Sequence, residues 1–262
     1  MLKARVVTAL CLIAGLLAVL FYFNTLVATV VFAGIAGLAA WEWGGLMQTA
    51  RRARAAFVAG VLVACFFFWQ QPQTIIGLLW ATASLFWLLL APLYLLRGWR
   101  LSSTPWLGHV LGGGLIVATW AAMVGLHARA PLLLLAAMAT VWVADSAAYF
   151  AGRAFGRRKL APAISPGKTW EGVAGALLGV IGYGVLLHTQ FLDVALPPLL
   201  LGLMVMLVLS IIGDLFESLA KRQVGLKDSG NLLPGHGGVL DRIDSLLPTL
   251  PVAALLMEYL RT

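Results

Sequence analysis

Apolar residues run along this chain in long blocks, separated by short polar stretches that carry most of the charge. Nine blocks stand out, over residues 6–23, 25–47, 55–70, 74–96, 107–126, 131–152, 172–190, 196–213 and 245–261. A helix rises about 1.5 Å per residue and a bilayer's hydrocarbon core is about 30 Å thick, so blocks near this length read as transmembrane helices. The third and ninth are short, and the ninth holds Pro248 and Pro251. The pattern predicts an all-α, polytopic integral membrane protein with about nine transmembrane helices. Residues 1–130 hold about five spans. Residues 131–262 form a C-terminal catalytic transmembrane region with two long polar segments, 153–171 and 214–244.

Composition strengthens this picture. Of the 262 residues, 61% are hydrophobic and 11% are charged, against about a quarter charged in soluble domains. At this length no water-soluble fold buries so much apolar surface, so the solvent is lipid. Cys11 and Cys65 both lie inside apolar blocks, which suits packing and provides neither a disulfide framework nor a CxxC metal pair. Lys3 and Arg5 precede the first block as in a signal peptide, but no clear small-residue cleavage site follows, so the block reads as the first span.

The net charge is +8, yet no basic patch interleaved with aromatics is present, which argues against nucleic acid. In a membrane protein, excess Lys and Arg first reports topology. With the N-terminus in the cytoplasm and nine spans, 16 of the 18 Lys and Arg fall on the cytoplasmic side; Arg129 and Arg261 fall on the other. Both long polar segments are then cytoplasmic.

Topology explains basic residues in those segments, not acidic ones. Of ten Asp and Glu, seven lie at or in them: Asp145, Glu171, Asp214, Glu217, Asp228, Asp241 and Asp244. Ionisable groups at membrane depth are costly and mark function by default. Asp214, Ser218 and Lys221 continue an apolar helix at i, i+4 and i+7, on one face. Glu217 and Arg222 on the same stretch also suit a solvated helix end with a local ion pair. Lys227-Asp228-Ser229-Gly230 through Leu233-Pro234-Gly235-His236-Gly237-Gly238 is too rich in Gly and Pro for a helix. Such a loop lets backbone N–H groups converge on an anion. Asp241 and Asp244 follow at i, i+3, although Asp244 and Ser245 also suit an ordinary helix cap.

In the other segment Asp145 and Tyr149 are at i, i+4, one to two turns inside a span. A basic run, Arg153 to Lys159, leads to Ser165-Pro166-Gly167-Lys168-Thr169-Trp170-Glu171-Gly172. Gly-Lys-Thr is not a P-loop, because Pro162 stands where the first Gly is required. A helix beginning near Lys168–Glu171 still offers its N-terminus to a phosphate. Carboxylates on Asp214, Asp228 and Asp241 suit a hard cation such as Mg²⁺, and Lys and Arg suit phosphate oxygens. No Ser-His-Asp or Cys-His arrangement is present. A transporter would place polar groups on several central helices near mid-bilayer, whereas the N-terminal spans are nearly free of charge, Glu42 at a cytoplasmic end excepted.

Ser218-Leu219-Ala220-Lys221-Arg222, Lys227-Asp228-Ser229-Gly230 and Leu233 through Asp244 together resemble the signature of the phosphatidate cytidylyltransferases, or CDP-diacylglycerol synthases. Asp145, Ala148 to Arg153 and Ile164 to Gly172 fit the same family, with Gly167 where a polar or basic residue is more usual. The intact signature argues against a related enzyme such as a polyprenol kinase. The resemblance implies transfer of CMP from CTP to phosphatidic acid, giving CDP-diacylglycerol and pyrophosphate. It implies Mg²⁺, with a second cation left open, a homodimer in many members, and a bacterial inner-membrane setting with the site facing the cytoplasm. Mapped onto this chain, it makes Asp214 and Asp241 the first metal ligands, with Asp145 and Asp228 assisting. Lys168, Lys221, Arg222, Lys227 and Arg242 then bind phosphates, and Ser218 and His236 shape the catalytic site.

Overall fold

The computed structural model describes residues 2–101 and 104–259. Arg261 and the last residues of the ninth predicted span lie outside them. Helices α1 (Leu2–Phe21), α2 (Thr25–Leu46) and α3 (Arg51–Trp69) come first. Next, α4 (Gln73–Leu85) passes through a π turn at Phe86–Leu90 into α5 (Ala91–Arg97). Helices α6 (Pro105–Arg129) and α7 (Pro131–Phe155) precede a small hairpin, β1 (Lys159–Ala161) and β2 (Ser165–Thr169). The chain ends with α8 (Trp170–Gln190), α9 (Leu196–Gln223), the short α10 (Leu240–Ile243) and α11 (Leu246–Tyr259).

Seven of these helices are long and apolar enough to cross a membrane, counting α4 to α5 as one. They match the second to eighth predicted spans. The first predicted span matches the shorter apolar stretch Val6–Phe21. The ninth matches α11, whose 14 residues give about 21 Å, short of the hydrocarbon thickness. Its Leu246, Leu247, Leu250 and Ala254 are buried, so α11 packs inside the bundle. The fold is all-α as expected, apart from the β1–β2 hairpin, which no apolar period announced.

Local chemistry sets the helix ends. Asn24 caps α2 by accepting the Val27 amide at 2.9 Å, and prolines open α6, α7 and α9, where the missing N–H costs nothing. Leu10, Val30, Phe66, Leu89, Leu178 and Leu201 face outward. So much exposed apolar surface is a liability in water and the expected outer face in lipid.

Two packing features position the site. Helices α7 and α8 approach closely through small residues: a side chain on Gly175 would meet the Ala147 carbonyl oxygen at 3.0 Å. Near the other end of the site, Phe216 of α9 sits among Trp87, Phe86 and Tyr94, with ring centroids 5.3, 5.6 and 5.9 Å away. Trp43 of α2 stacks on it from 6.5 Å. This aromatic cluster fixes the rotation of α9 just where its polar residues begin.

Candidate functional site

Helix α9 has 28 residues and spans about 42 Å, longer than a hydrocarbon core. Its last turns, from Asp214 onward, therefore extend past the apolar layer. Gly213 permits the start of α11 to come close: a side chain there would meet the Asp244 carbonyl oxygen at 2.5 Å and Pro248 Cγ at 2.7 Å. Asp244 is thereby brought beside Asp214.

The hairpin supplies the other wall. Glu171, in the first turn of α8, accepts the backbone amides of Arg157 and Arg158 at 3.0 and 3.2 Å, and so holds the chain's exit from α7. Thr169 caps α8 by accepting the Gly172 amide at 3.1 Å. The expected helix start near Lys168–Glu171 is thus present, with Lys168 on the strand leading into it. Lys168 Nζ lies 2.6 Å from Asp214 Oδ2, and Ser218 Oγ donates to Asp214 Oδ1 at 3.2 Å. Between α7, α8 and α9 opens a cavity of about 470 Å³. Asp145, Tyr149, Arg153, Lys168 and Asp214 give it a polar mouth; Ala144, Ala148, Val173, Ala176, Leu207 and Ile211 give it apolar walls.

A second polar cluster adjoins the first. Lys221 Nζ lies 2.6 Å from Asp241 Oδ1 and 3.0 Å from Glu217 Oε2. Asp241 Oδ2 accepts the amides of Ser229 and Gly238 at 2.9 and 2.8 Å. Burial opposes the charge on Asp241. The Lys221 hydrogen bond and the two amides outweigh it and hold this carboxyl below its ordinary range. Asp244 joins the clusters, facing Glu217 and the charge of Asp214. Burial first, and Asp214 second, push its carboxyl up to about 7.

The Gly-rich segment is a tight turn, as its composition predicts. Leu233 N donates to Gly237 O, and His236 N to Leu233 O, each at 2.9 Å. Gly235 and Gly237 have φ of 75° and 79°, left-handed values that disfavour other residues. His236 Nδ1 is buried with no hydrogen-bond partner among the described residues.

The predicted residues therefore fall into two neighbouring groups. Asp145, Lys168 and Asp214 line the cavity and Ser218 bonds to Asp214 behind them; Lys221 and Asp241 share the second cluster, with Asp228 beside Gly237. Arg222, Lys227, Asp228 and Arg242 are exposed around them, Arg242 within electrostatic reach of Asp145. Glu217 is not at a solvated helix end: it is 2% exposed and pairs inside with Lys221.

Glu42, in the sequence only a lone charge at the end of an N-terminal span, proves to belong to this region. This residue of α2 is 5% exposed. It accepts from Ser229 Oγ and the amides of Val239 and Leu240. A carboxylate in an otherwise uncharged span was the available signal.

The donor chemistry fits a hard cation. The charge of Asp214 reaches both Asp145 and Asp244, and all three offer oxygen. Among the described residues no three His, Cys, Asp or Glu side chains are grouped tightly enough to enclose an ion. An ion here would need substrate oxygens to complete its shell, the usual habit of Mg²⁺.

The chain is 43% identical to the phosphatidate cytidylyltransferase of Pseudomonas aeruginosa, covering 98% of this chain and 97% of that one. It is 35% identical to that of Haemophilus influenzae, covering 96% of each. With that of Bacillus subtilis it shares 48% identity over 46% of its length and 45% of the relative's. The cytidylyltransferase family pattern matches residues 3–260, and the chain belongs to the cytidylyltransferase family.

Proposed function

We infer that this chain is a phosphatidate cytidylyltransferase: a membrane enzyme that transfers CMP from CTP to phosphatidate, giving CDP-diacylglycerol and pyrophosphate. The observation that carries the reading is the cavity whose mouth holds Lys168, Asp214 and Asp145 and whose walls are apolar. Such a cavity suits an amphiphile with a phosphate head. The curated relatives of nearly full coverage bear the same activity in their names.

In the reaction a phosphatidate oxygen forms a bond to the α-phosphorus of CTP, and the bond from that phosphorus to the β-bridging oxygen breaks. The nucleophile is already ionised, so the protein has no proton to remove. Its work is positioning and charge neutralisation. Lys168 stands at the cavity mouth to hold a phosphate. Arg222, Lys227 and Arg242 stand exposed around the second cluster, where a triphosphate's charge is met, and Lys221 holds the cluster's carboxylates from inside. His236 and Ser218 shape the turn and the Asp214 rotamer.

Asp214 and Asp145, which line the cavity, would hold Mg²⁺; Asp241, expected from the sequence to rank with Asp214, is engaged by Lys221 and two backbone amides and with Asp228 would support from the adjacent cluster. The bound cation supplies neutralisation of charge on the transferring and leaving phosphates. The bias of Lys and Arg supports a site facing the cytoplasm of a bacterial inner membrane.

The deciding assay gives purified protein radiolabelled CTP, phosphatidate and Mg²⁺. Lipid-extractable label is expected. Its absence across several divalent metals would refute the reading.

A further inference from the structure

The geometry points to Glu42, in the N-terminal half of the chain, as a positioning residue for the nucleotide-binding loop of the C-terminal half. This rests on the cytidylyl-transfer reading and adds a residue that the signature does not contain.

Glu42 is almost completely buried, and a buried carboxylate must be matched by donors. It finds three. Ser229 Oγ donates to Oε2 at 2.9 Å, Val239 N to Oε1 at 2.9 Å and Leu240 N to Oε2 at 2.7 Å. These come from both ends of the 229–240 segment, almost two hundred residues away in sequence. One side chain thus closes the loop that carries the Leu233–Gly237 turn and His236.

The same carboxylate explains two glycines. A side chain on Gly230 would come 2.5 Å from Glu42 Oε1. At Gly238 it would collide with the other carboxylate oxygen, and the Gly238 amide is one of the two that hold Asp241. Glu42 therefore sets where Ser229, Gly238 and Asp241 meet, and Asp241 in turn holds Lys221. The next residue in α2, Trp43, stacks on Phe216, one residue before Glu217. Helix α2 supports the second cluster from both sides. The hydrogen bonds to Glu42 come from Ser229, Val239 and Leu240 and not from Lys168 or the cavity walls, so its loss falls on the nucleotide rather than the lipid.

The test uses purified full-length enzyme, wild type and Glu42→Gln, with kcat and KM measured for CTP and phosphatidate separately. Glutamine turns one acceptor into a donor facing donors. Misplacement of a catalytic loop by about 1 Å costs on the order of 100-fold, and that loss is expected in kcat/KM for CTP, with KM for CTP raised and KM for phosphatidate unchanged. A kcat/KM for CTP within about twofold of wild type, or an equal rise in the two KM values, would overturn the inference. Where Glu42→Gln does not fold, Ser229→Ala decides, since it removes one donor and leaves both amide bonds. A severalfold rise in KM for CTP alone supports the inference, and wild-type constants overturn it. Lack of turnover by the wild-type protein would instead overturn the reading on which it rests.

Discussion

Lys168 of the hairpin and Asp214 of α9 form a 2.6 Å ion pair at the mouth of the cavity. The pair joins a strand to a helix end beside the cavity, and it sets the ammonium proposed to hold a phosphate next to the carboxylate proposed to hold the metal.

Asp214→Asn keeps the shape and the Ser218 hydrogen bond but removes the charge. Turnover should fall on the order of 1,000-fold, the upper range for deleting one electrostatic contact in a transition state. The protein should still elute as a single species in detergent. Near wild-type turnover in this variant would remove Asp214 from the metal assignment.

Chelation gives a separate check. EDTA should abolish label transfer and excess Mg²⁺ should restore it, because the grouped carboxylates need a cation to accept a triphosphate nearby. Full activity in EDTA-treated, metal-free buffer would contradict the cation's role.

Lys221→Met leaves the carboxylates of Glu217 and Asp241 without their shared cation. Both side chains and Lys221 are nearly inaccessible, so breaking the set should destabilise by about 3–5 kcal/mol. Thermal unfolding in detergent measures this. An unchanged midpoint would show that the cluster carries no such energy.

Stability should also depend on pH through Asp244. Its folded-state pKa is about 7, against about 4 for an unfolded aspartate. Between these values the folded chain holds a proton on Asp244 that the unfolded chain has lost, so the stability this group contributes is fully present below about pH 4 and is lost as pH rises through about 7. Asp244→Asn should therefore shift the slope of stability against pH upward across this range relative to wild type. An identical slope in wild type and variant would refute the assignment.

Much of this protein is legible in one dimension. Helix length is set by bilayer thickness, so the blocks from residue 25 to 213 predicted seven of the observed helices, six within a few residues at each end; the seventh, α9, runs ten residues beyond its block, to Gln223. The glycines of 230–238 likewise announce a turn, because only they take left-handed φ cheaply. The first and ninth blocks, 6–23 and 245–261, show the limit of that reading. Apolarity reports burial in lipid and burial in protein alike, and the apolar Leu246, Leu247, Leu250 and Ala254 of α11 are buried inside the bundle.

The polar residues divide the same way. Their types and spacing told which chemistry the chain carries, since carboxylates, lysines and glycines have fixed affinities for cations, phosphates and tight turns. Spacing along a helix also placed Ser218 on Asp214. It could not say that Lys168 would pair with Asp214, that Lys221 would reach Asp241, or that Glu42 would close a loop from the other half of the chain. Those contacts depend on where helices come together in space, through the aromatic cluster at Phe216 and the gap left by Gly213, and no local period encodes them.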